Sequence, residues 1–464
     1  MLFRYNRLIS IEKTNIIVYG LYYVRTIRRE YTVFQLKKNQ TTVKTELLAG
    51  MTTFLTMVYI VIVNPIILSE AGVPFDQVFL ATIIATVIGT LWMALFANYP
   101  IAIAPGMGLN AYFASVVIGS NGQLDYLAAF SAVFIAGLIF VLLSMTSFRE
   151  KLIEEIPENL KHGITAGIGL FIAFIGLRLS GLVVPHELNI VQLGELTSPA
   201  VLLTLFGLLV TIILMNRNVY GAIFIGMIAT GVVAFFTKQL QFDGVMKIPH
   251  LPEGILVWNP ALAMGDVISY GLYGVVLSFL LVTLFDTTGT MIGVAKQAGL
   301  MKGNSLPRAR HALLADSVAA TVGSMVGTSP TSAYVESSSG VAVGGRTGLT
   351  TLTVAVLFIA AAFFSPIVSA LSGVAAITAP ALIIVGSLMI GAVKNIDWDS
   401  FDESFPAFLV ILTMPLTSSI ATGIALGFIT YPLLKITKGK GKQVPMLMYI
   451  FAVLFTYQLL FLPH

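Results

Sequence analysis

The sequence predicts an all-α polytopic membrane protein, and three observations carry that prediction. Of its 464 residues, 57% are hydrophobic and only 10% are charged, whereas a soluble domain averages about 25% charged. The mean hydropathy is +0.91. From Ala49 onward apolar runs alternate with short polar joints, and Lys and Arg fall almost wholly on every second joint, the bias that orients a chain in a bilayer.

Residues 1–46 hold nine basic side chains, from Arg4 to Lys44, with neither a long apolar core nor a small-residue cleavage site, so a secretory signal is not expected. The stretch reads as a basic cytoplasmic segment, either lying on the membrane surface or extending ahead of a start near Val33. A first set of seven apolar runs follows within 47–240, at about 51–69, 76–97, 101–118, 125–146, 163–180, 200–215 and 218–237. After an extracytoplasmic connector at 241–266, a second set fills 267–437, at about 267–290, 311–326, 328–345, 350–371, 375–393, 403–418 and 419–436. Several runs are shorter than the roughly 20 residues of a helical span. Short or Gly/Pro-interrupted runs in matching places of two halves point to broken helices around a mid-membrane site. Residues 438–464 form a basic loop and an apolar run, Met446 to Leu462, read as a helix in the interface rather than a further span.

Fourteen spans and a cytoplasmic amino terminus put 23 of the 26 Lys and Arg inside, leaving Lys238 and Lys247 outside and Arg178 near the outer end of the fifth span. That distribution explains the net charge of +4 without a nucleic-acid partner. There is no cysteine, and the five histidines never fall at ligand spacing, so no metal or cofactor is expected.

The two sets echo one another. Leu109 to Ser115 matches Thr331 to Ser337 with Ala-Tyr and Ser shared, Gly163 to Ala166 resembles Ala376 to Ala379, and Gly221 to Gly226 resembles Gly423 to Gly427. Because seven is odd, the halves insert with opposite orientation, giving a 7+7 inverted repeat of the transporter kind.

The residues able to carry chemistry lie in three runs. The tenth, within Gly327 to Gly348, packs hydroxyls around one carboxylate, Glu336. A charge at the centre of a membrane helix costs roughly 2.5–3.5 kcal/mol even on insertion scales, so such a group faces a bundle interior or a wet cavity. The third, Ala104 to Tyr112, combines Pro105, Gly106 and Gly108 with the Asn110 amide, which lets backbone approach a ligand and offers donors and an acceptor. The eighth carries Asp286 in Leu284-Phe285-Asp286-Thr287-Thr288-Gly289-Thr290. Two acids near one site allow one to hold a proton at neutral pH. Asp316 reads as a helix-face residue near the cytoplasm. Glu150, Glu154, Glu155 and Glu158, interleaved with Arg149 and Lys151, read as a solvated helix. Arg178 reads as a side chain reaching outward.

At PGMGLNAYF, LFDTTGTMIGVAKQAGL and GTSPTSAYVESSSGVAVGGRTGL, the sequence resembles the nucleobase/ascorbate transporter (nucleobase-cation symporter-2) superfamily, most closely its AzgA-like purine permeases, over about Lys44 to Lys435. The resemblance implies short strands in broken spans 3 and 10, a core domain of spans 1–4 and 8–11, and a gate domain of spans 5–7 and 12–14. It also implies proton-coupled uptake of hypoxanthine, guanine or adenine across the plasma membrane, and the dimers usual in the superfamily. Carried over by motif position, Asp286 and Glu336 bind the purine and couple protons. Asn110, Thr290, Tyr334 and Val335 line the site, and Thr53 faces the same core. One turn before DTTGT, where members carry a second acid, this chain has Thr283.

Rival readings fit less well. DTTGT differs by one residue from the phosphorylated-aspartate motif of P-type pumps, but the longest cytoplasmic joint, about Ala295 to Arg310, cannot hold a nucleotide domain. An intramembrane aspartyl protease lacks its second motif, so an enzyme is not expected. An anion carrier of similar architecture would set two carboxylates against its cargo, and a uracil- or xanthine-type permease of the same fold stands as the alternative.

Overall fold

The computed structural model describes residues 34–120, 122–146, 155–186, 190–240, 244–301 and 306–461. The basic stretch through residue 33, and Arg149, Glu150, Lys151 and Glu154 of the interleaved charges, lie outside them. Among the described residues, nine helices are long and apolar enough to cross a membrane.

The first run begins earlier than its pattern suggests. Helix α1 (Val43–Met57) starts where the Thr42 hydroxyl accepts from the Thr45 N–H at 3.2 Å, a side-chain cap. It continues as α2 (Ile60–Ser69) after a tightened turn at Val58 and Tyr59, in which Val61 bonds back only three residues. Helix α3 (Phe75–Trp92) closes with a π turn over Met93–Ala97. Then the third run breaks. Pro100 and Pro105 disfavour helix in their neighbourhood, and strand β1 (Ile103–Pro105) precedes α4 (Met107–Gly119). Helices α5 (Tyr126–Ser144) and α6 (Glu158–Leu179) follow. The joint after α6 is a hairpin of β2 (Val183–His186) and β3 (Ile190–Leu193), paired Val183 to Leu193. Helices α7 (Pro199–Asn216) and α8 (Ala222–Phe236) complete the first half.

In the second half, the run expected from 267 is two elements. A short helix, α9 (Pro260–Ser269), precedes α10 (Tyr273–Gln297), which is continuous through Asp286. Helix α11 (Ala309–Val326) ends at Gly327 with φ +104°, a conformation that disfavours a side chain. Strand β4 (Thr331–Ala333) and α12 (Ser337–Val343) form the second broken run. Helices α13 (Gly348–Ala361), α14 (Ser365–Ser372), α15 (Ala375–Ile390), α16 (Phe401–Thr417), α17 (Ile420–Thr437) and α18 (Met446–Phe461) complete the chain.

β1 pairs antiparallel with β4, Ile103 opposite Ala333 and Pro105 opposite Thr331. The ladder is extended by Gly106 N–H to Pro330 C=O and Tyr334 N–H to Ala102 C=O, both at 3.0 Å. Backbone that leaves the helix must find partners inside the protein, and here each broken run supplies the other's. The strands correct the expected repeat register. Matching Leu109 to Ser115 with Thr331 to Ser337 lays the helix α4 on the strand β4, whereas the pairing makes Ile103–Pro105 the mate of Thr331–Ala333. The shared Ala-Tyr letters recur in two small-residue stretches of different conformation.

The helices pack in two groups. One holds α1–α5 and α10–α14 around β1 and β4. The other holds α6–α8 and α15–α17. The connector is fastened to the first group: Gln77 donates to the carbonyls of Val326 (2.6 Å) and Gly254 (2.8 Å) and accepts from the Glu253 N–H (3.0 Å). The buried Glu46 carboxylate accepts from the N–H groups of Arg346, Thr347 and Thr350 and from the Thr350 hydroxyl at 2.6 Å. It thereby caps the start of α13. In the second group, the buried Lys435 amine lies 2.7 Å from Asp402 and 2.5 Å from Glu403, tying the start of α16 to the end of α17.

Helix α18 runs antiparallel beside α17, with Tyr449 donating to the Gly441 carbonyl at one end, Phe451 and Phe455 on Phe428, and Gln458 against Gly274 at the start of α10. Its Phe451 and Phe455 are buried, while Val453, Tyr457 and Leu460 stay exposed.

Candidate functional site

A cavity of about 880 Å³ lies where the paired strands meet the second helix group. Its near wall is built from the broken runs. Gly106 is the turn between β1 and α4. A Cβ there would sit 2.9 Å from Ser332 Oγ and 3.5 Å from Asp286 Oδ2, so glycine lets the strand turn approach α10 closely. Ser332 hydrogen-bonds Asp286. Tyr334 donates to the Pro105 carbonyl at 2.6 Å, which locks its ring across the strand pair. Glu336 follows as the residue before α12. Its Oε1 accepts from the Tyr59 hydroxyl at 2.5 Å, and the Thr56 hydroxyl donates to its carbonyl at 3.4 Å. The far wall comes from the second group, including Thr165 of α6, Tyr220 in the α7–α8 joint and Met389 of α15.

Five of the seven residues singled out in the sequence, Asp286, Thr290, Tyr334, Val335 and Glu336, line this one cavity. Thr53 and Asn110 do not. Thr53 is buried under α12, where a Cβ on Gly340 would collide with its hydroxyl. Asn110 points back into the first group, its Oδ1 accepting from the Ser329 hydroxyl while its Nδ2 has no partner among the described residues. Both hold the broken runs from behind. The reason for Asn110 is helical phase: it lies two residues beyond Gly108, which lines the cavity, so its side chain faces the other side of α4, toward the Ser329 lead-in to β4.

Asp316 is also corrected. It is buried, and its carboxylate accepts from Thr287 Oγ1 of α10 at 2.6 Å and from Thr331 Oγ1 of β4 at 3.0 Å. It thereby joins the helix carrying Asp286 to the strand leading to Glu336. Gly106, read in the sequence as letting backbone approach a ligand, lies at the site, whereas sequence reading missed Tyr59 and Ser332 as site-builders. Ser332 stands in the hydroxyl-rich stretch and so had a signal. Tyr59 had none, because a tyrosine in an apolar run reads as core.

A second cavity, of about 860 Å³, lies along the same face of α4 nearer its C-terminal end. Tyr112, Ser115, Ser120, Thr422 and Gln458 are among its walls, and Glu70 and Arg178 stand 3.8 Å apart there. Arg178, expected to reach outward, is half-exposed and has Glu70 as its partner. Burial raises the Glu70 carboxyl above its ordinary range, and the Arg178 guanidinium partly offsets this.

The sequence matches the permease family over residues 44–426. It is 66% identical over 432 residues to the guanine/hypoxanthine permease PbuO of Bacillus subtilis, covering 93% of this chain and 100% of that one. It is 42% identical over 429 residues to the adenine permease AdeQ of Escherichia coli, covering 92% and 95%. Among solved structures, the transmembrane domain of the cyanobacterial bicarbonate transporter BicA shares the fold, with a TM-score of 0.59 at 16% identity, covering 82% of this chain and 96% of that one.

Proposed function

From the premise that the chain belongs to the permease family, in its AzgA-like branch, we propose that it is a purine nucleobase permease that imports its substrate with protons, using the cavity of Asp286 and Glu336 as the binding site. The observation that carries this reading is the meeting of two carboxylates from separate helices in one cavity. A purine presents ring N–H and exocyclic amino donors, which carboxylates accept, and two acids disfavour an anion. The cavity lies within the roughly 300–1,000 Å³ range of small-molecule sites. Thr290 and the exposed Val335 backbone complete the polar edge. One acid takes the substrate's proton-bearing edge while the other carries the coupled proton.

The charge bias supports a cytoplasmic amino terminus in the plasma membrane, and the cavity then opens inward past the Arg217 side of the α7–α8 joint. The two helix groups support an elevator-like motion of a core, α1–α5 with α10–α14, against a gate, α6–α8 with α15–α17. Gly108 supports it further: a Cβ there would run into Ile168, so the seam is smooth at the site. The seven-plus-seven inverted arrangement of spans, with the crossing strands as its centre, belongs to the same reading. Uptake of labelled hypoxanthine, guanine, adenine and uracil, with and without a protonophore, is the test. Purine accumulation that collapses with the protonophore is expected. No purine uptake overturns the substrate reading, and protonophore-insensitive accumulation overturns the coupling.

A further inference from the structure

We infer that Tyr59 is a positioning residue for transport: its phenol fixes the Glu336 carboxylate so that one oxygen is held by protein and the other is left for substrate or proton. The inference rests on the reading of the cavity as the purine site. Tyr59 Oη donates to Glu336 Oε1 at 2.5 Å, and among the described residues no other side-chain bond to that carboxylate is seen. Tyr59 is itself buried. It sits in the tightened turn between α1 and α2, where Val61 and Ile62 bond back three residues to Val58 and Tyr59, a geometry that often marks a functional position inside a helix. The same turn is tied to the site a second time, through the Thr56 hydroxyl on the Glu336 carbonyl. The turn thus presents its phenol to one oxygen of an acid whose main chain it also holds.

The titratable groups that face Glu336 are Tyr59 from the α1–α2 turn, Tyr334 from the end of β4 and Asp286 from α10. Tyr334 spends its hydroxyl on the Pro105 carbonyl, and Asp286 can only compete for protons. Tyr59 is therefore the side chain that supplies a donor, beside the backbone N–H of Glu336 itself. A donor on one oxygen favours the ionised acid and restricts its rotation, so that ligand binding requires less ordering.

Two variants test this with opposite signs. Tyr59→Phe removes the donor with little change of shape. It is expected to raise the KM for purine at least about fivefold with a smaller change in Vmax per transporter, and to move the acid limb of the transport pH profile upward. Replacing Tyr59 by 3-fluorotyrosine keeps the ring and strengthens the donor, and should move the same limb downward, even if Tyr59→Phe accumulates poorly. Equilibrium purine binding closes a double-mutant cycle: Tyr59→Phe added to Glu336→Gln should weaken binding no further than Glu336→Gln alone. Wild-type pH profiles for both variants, or shifts in the same direction, or additive losses in the cycle, would overturn the role of Tyr59. Absence of purine uptake by the wild-type protein would instead overturn the substrate reading beneath it.

Discussion

The two cavities at the two ends of α4 are nearly equal in volume, about 880 and 860 Å³, yet their chemistry differs. The first brings together two carboxylates, a hydroxyl-bearing strand and the Tyr59 phenol. The second holds one acid, Glu70, already paired with Arg178. Volume alone does not distinguish them. The convergence of two acids on one wall does, because together they offer several acceptor sites to one ligand. The first cavity reads as the place where a base is held, and the second as a vestibule closed by contacts between helix groups.

The contrast can be broken by substitution, beginning with the largest effect. Glu336→Gln and Asp286→Asn should each lower purine uptake at least about 100-fold, since a site built for a hydrogen-bonding edge loses that much when the pairing is lost. Quantified membrane protein and initial uptake rates check it, and normal uptake by either removes that residue from the site. Next, Asp316→Ala should destabilise the fold by about 2–4 kcal/mol, because Thr287 and Thr331 lose a buried charged acceptor. Thermal unfolding of the purified protein reads this, and purine should protect the variant less than the wild type. Gly106→Ala places a methyl 2.9 Å from Ser332 Oγ and should cut uptake about tenfold through misplacement of the Asp286 neighbourhood.

The smallest effect belongs to the second cavity. Arg178→Ala should change the purine KM less than about threefold, because a half-exposed ion pair is worth about 0–1 kcal/mol. Its pH dependence has a definite sign. The raised Glu70 carboxyl takes up its proton earlier on acidification than an ordinary Glu, so the pair is intact at neutral pH and is lost as the outer pH falls. The chain has no native cysteine, so a single cysteine at Ser115 can report it. Its labelling by an impermeant maleimide, normalised at each pH to a fully exposed cysteine so that the loss of thiolate on acidification cancels, should be faster at pH 5 than at pH 7, and should lose that difference in Arg178→Ala.

The sequence made much of this arrangement legible, and the reasons it failed elsewhere are physical. The apolar runs were readable because bilayer thickness dictates their length. Asp286 and Glu336 were readable because a carboxylate amid apolar residues demands a reason. The breaks in two runs were readable from Pro105 and Pro330, while the strands there came from the family resemblance, and their register was not readable, since three-residue strands are set by partners far away in the chain. Asn110 and Thr53 show the converse limit. Both have the right polarity, and the faces they present to Ser329 and Gly340 depend on packing that no local pattern contains. Asp316 looked peripheral by its distance from the end of a helix, and its burial follows from where β4 crosses. Tyr59 was illegible because aromatic side chains are ordinary in a membrane core, and only the tertiary contact to Glu336 distinguishes it.

Equilibrium binding of radiolabelled guanine or hypoxanthine to the purified protein tests the central claim most directly, comparing wild type, Glu336→Gln and Arg178→Ala. The expected result is saturable purine binding by wild type, retained within about threefold in Arg178→Ala and weakened at least about 30-fold in Glu336→Gln. Binding unchanged in Glu336→Gln, or abolished in Arg178→Ala, would contradict it.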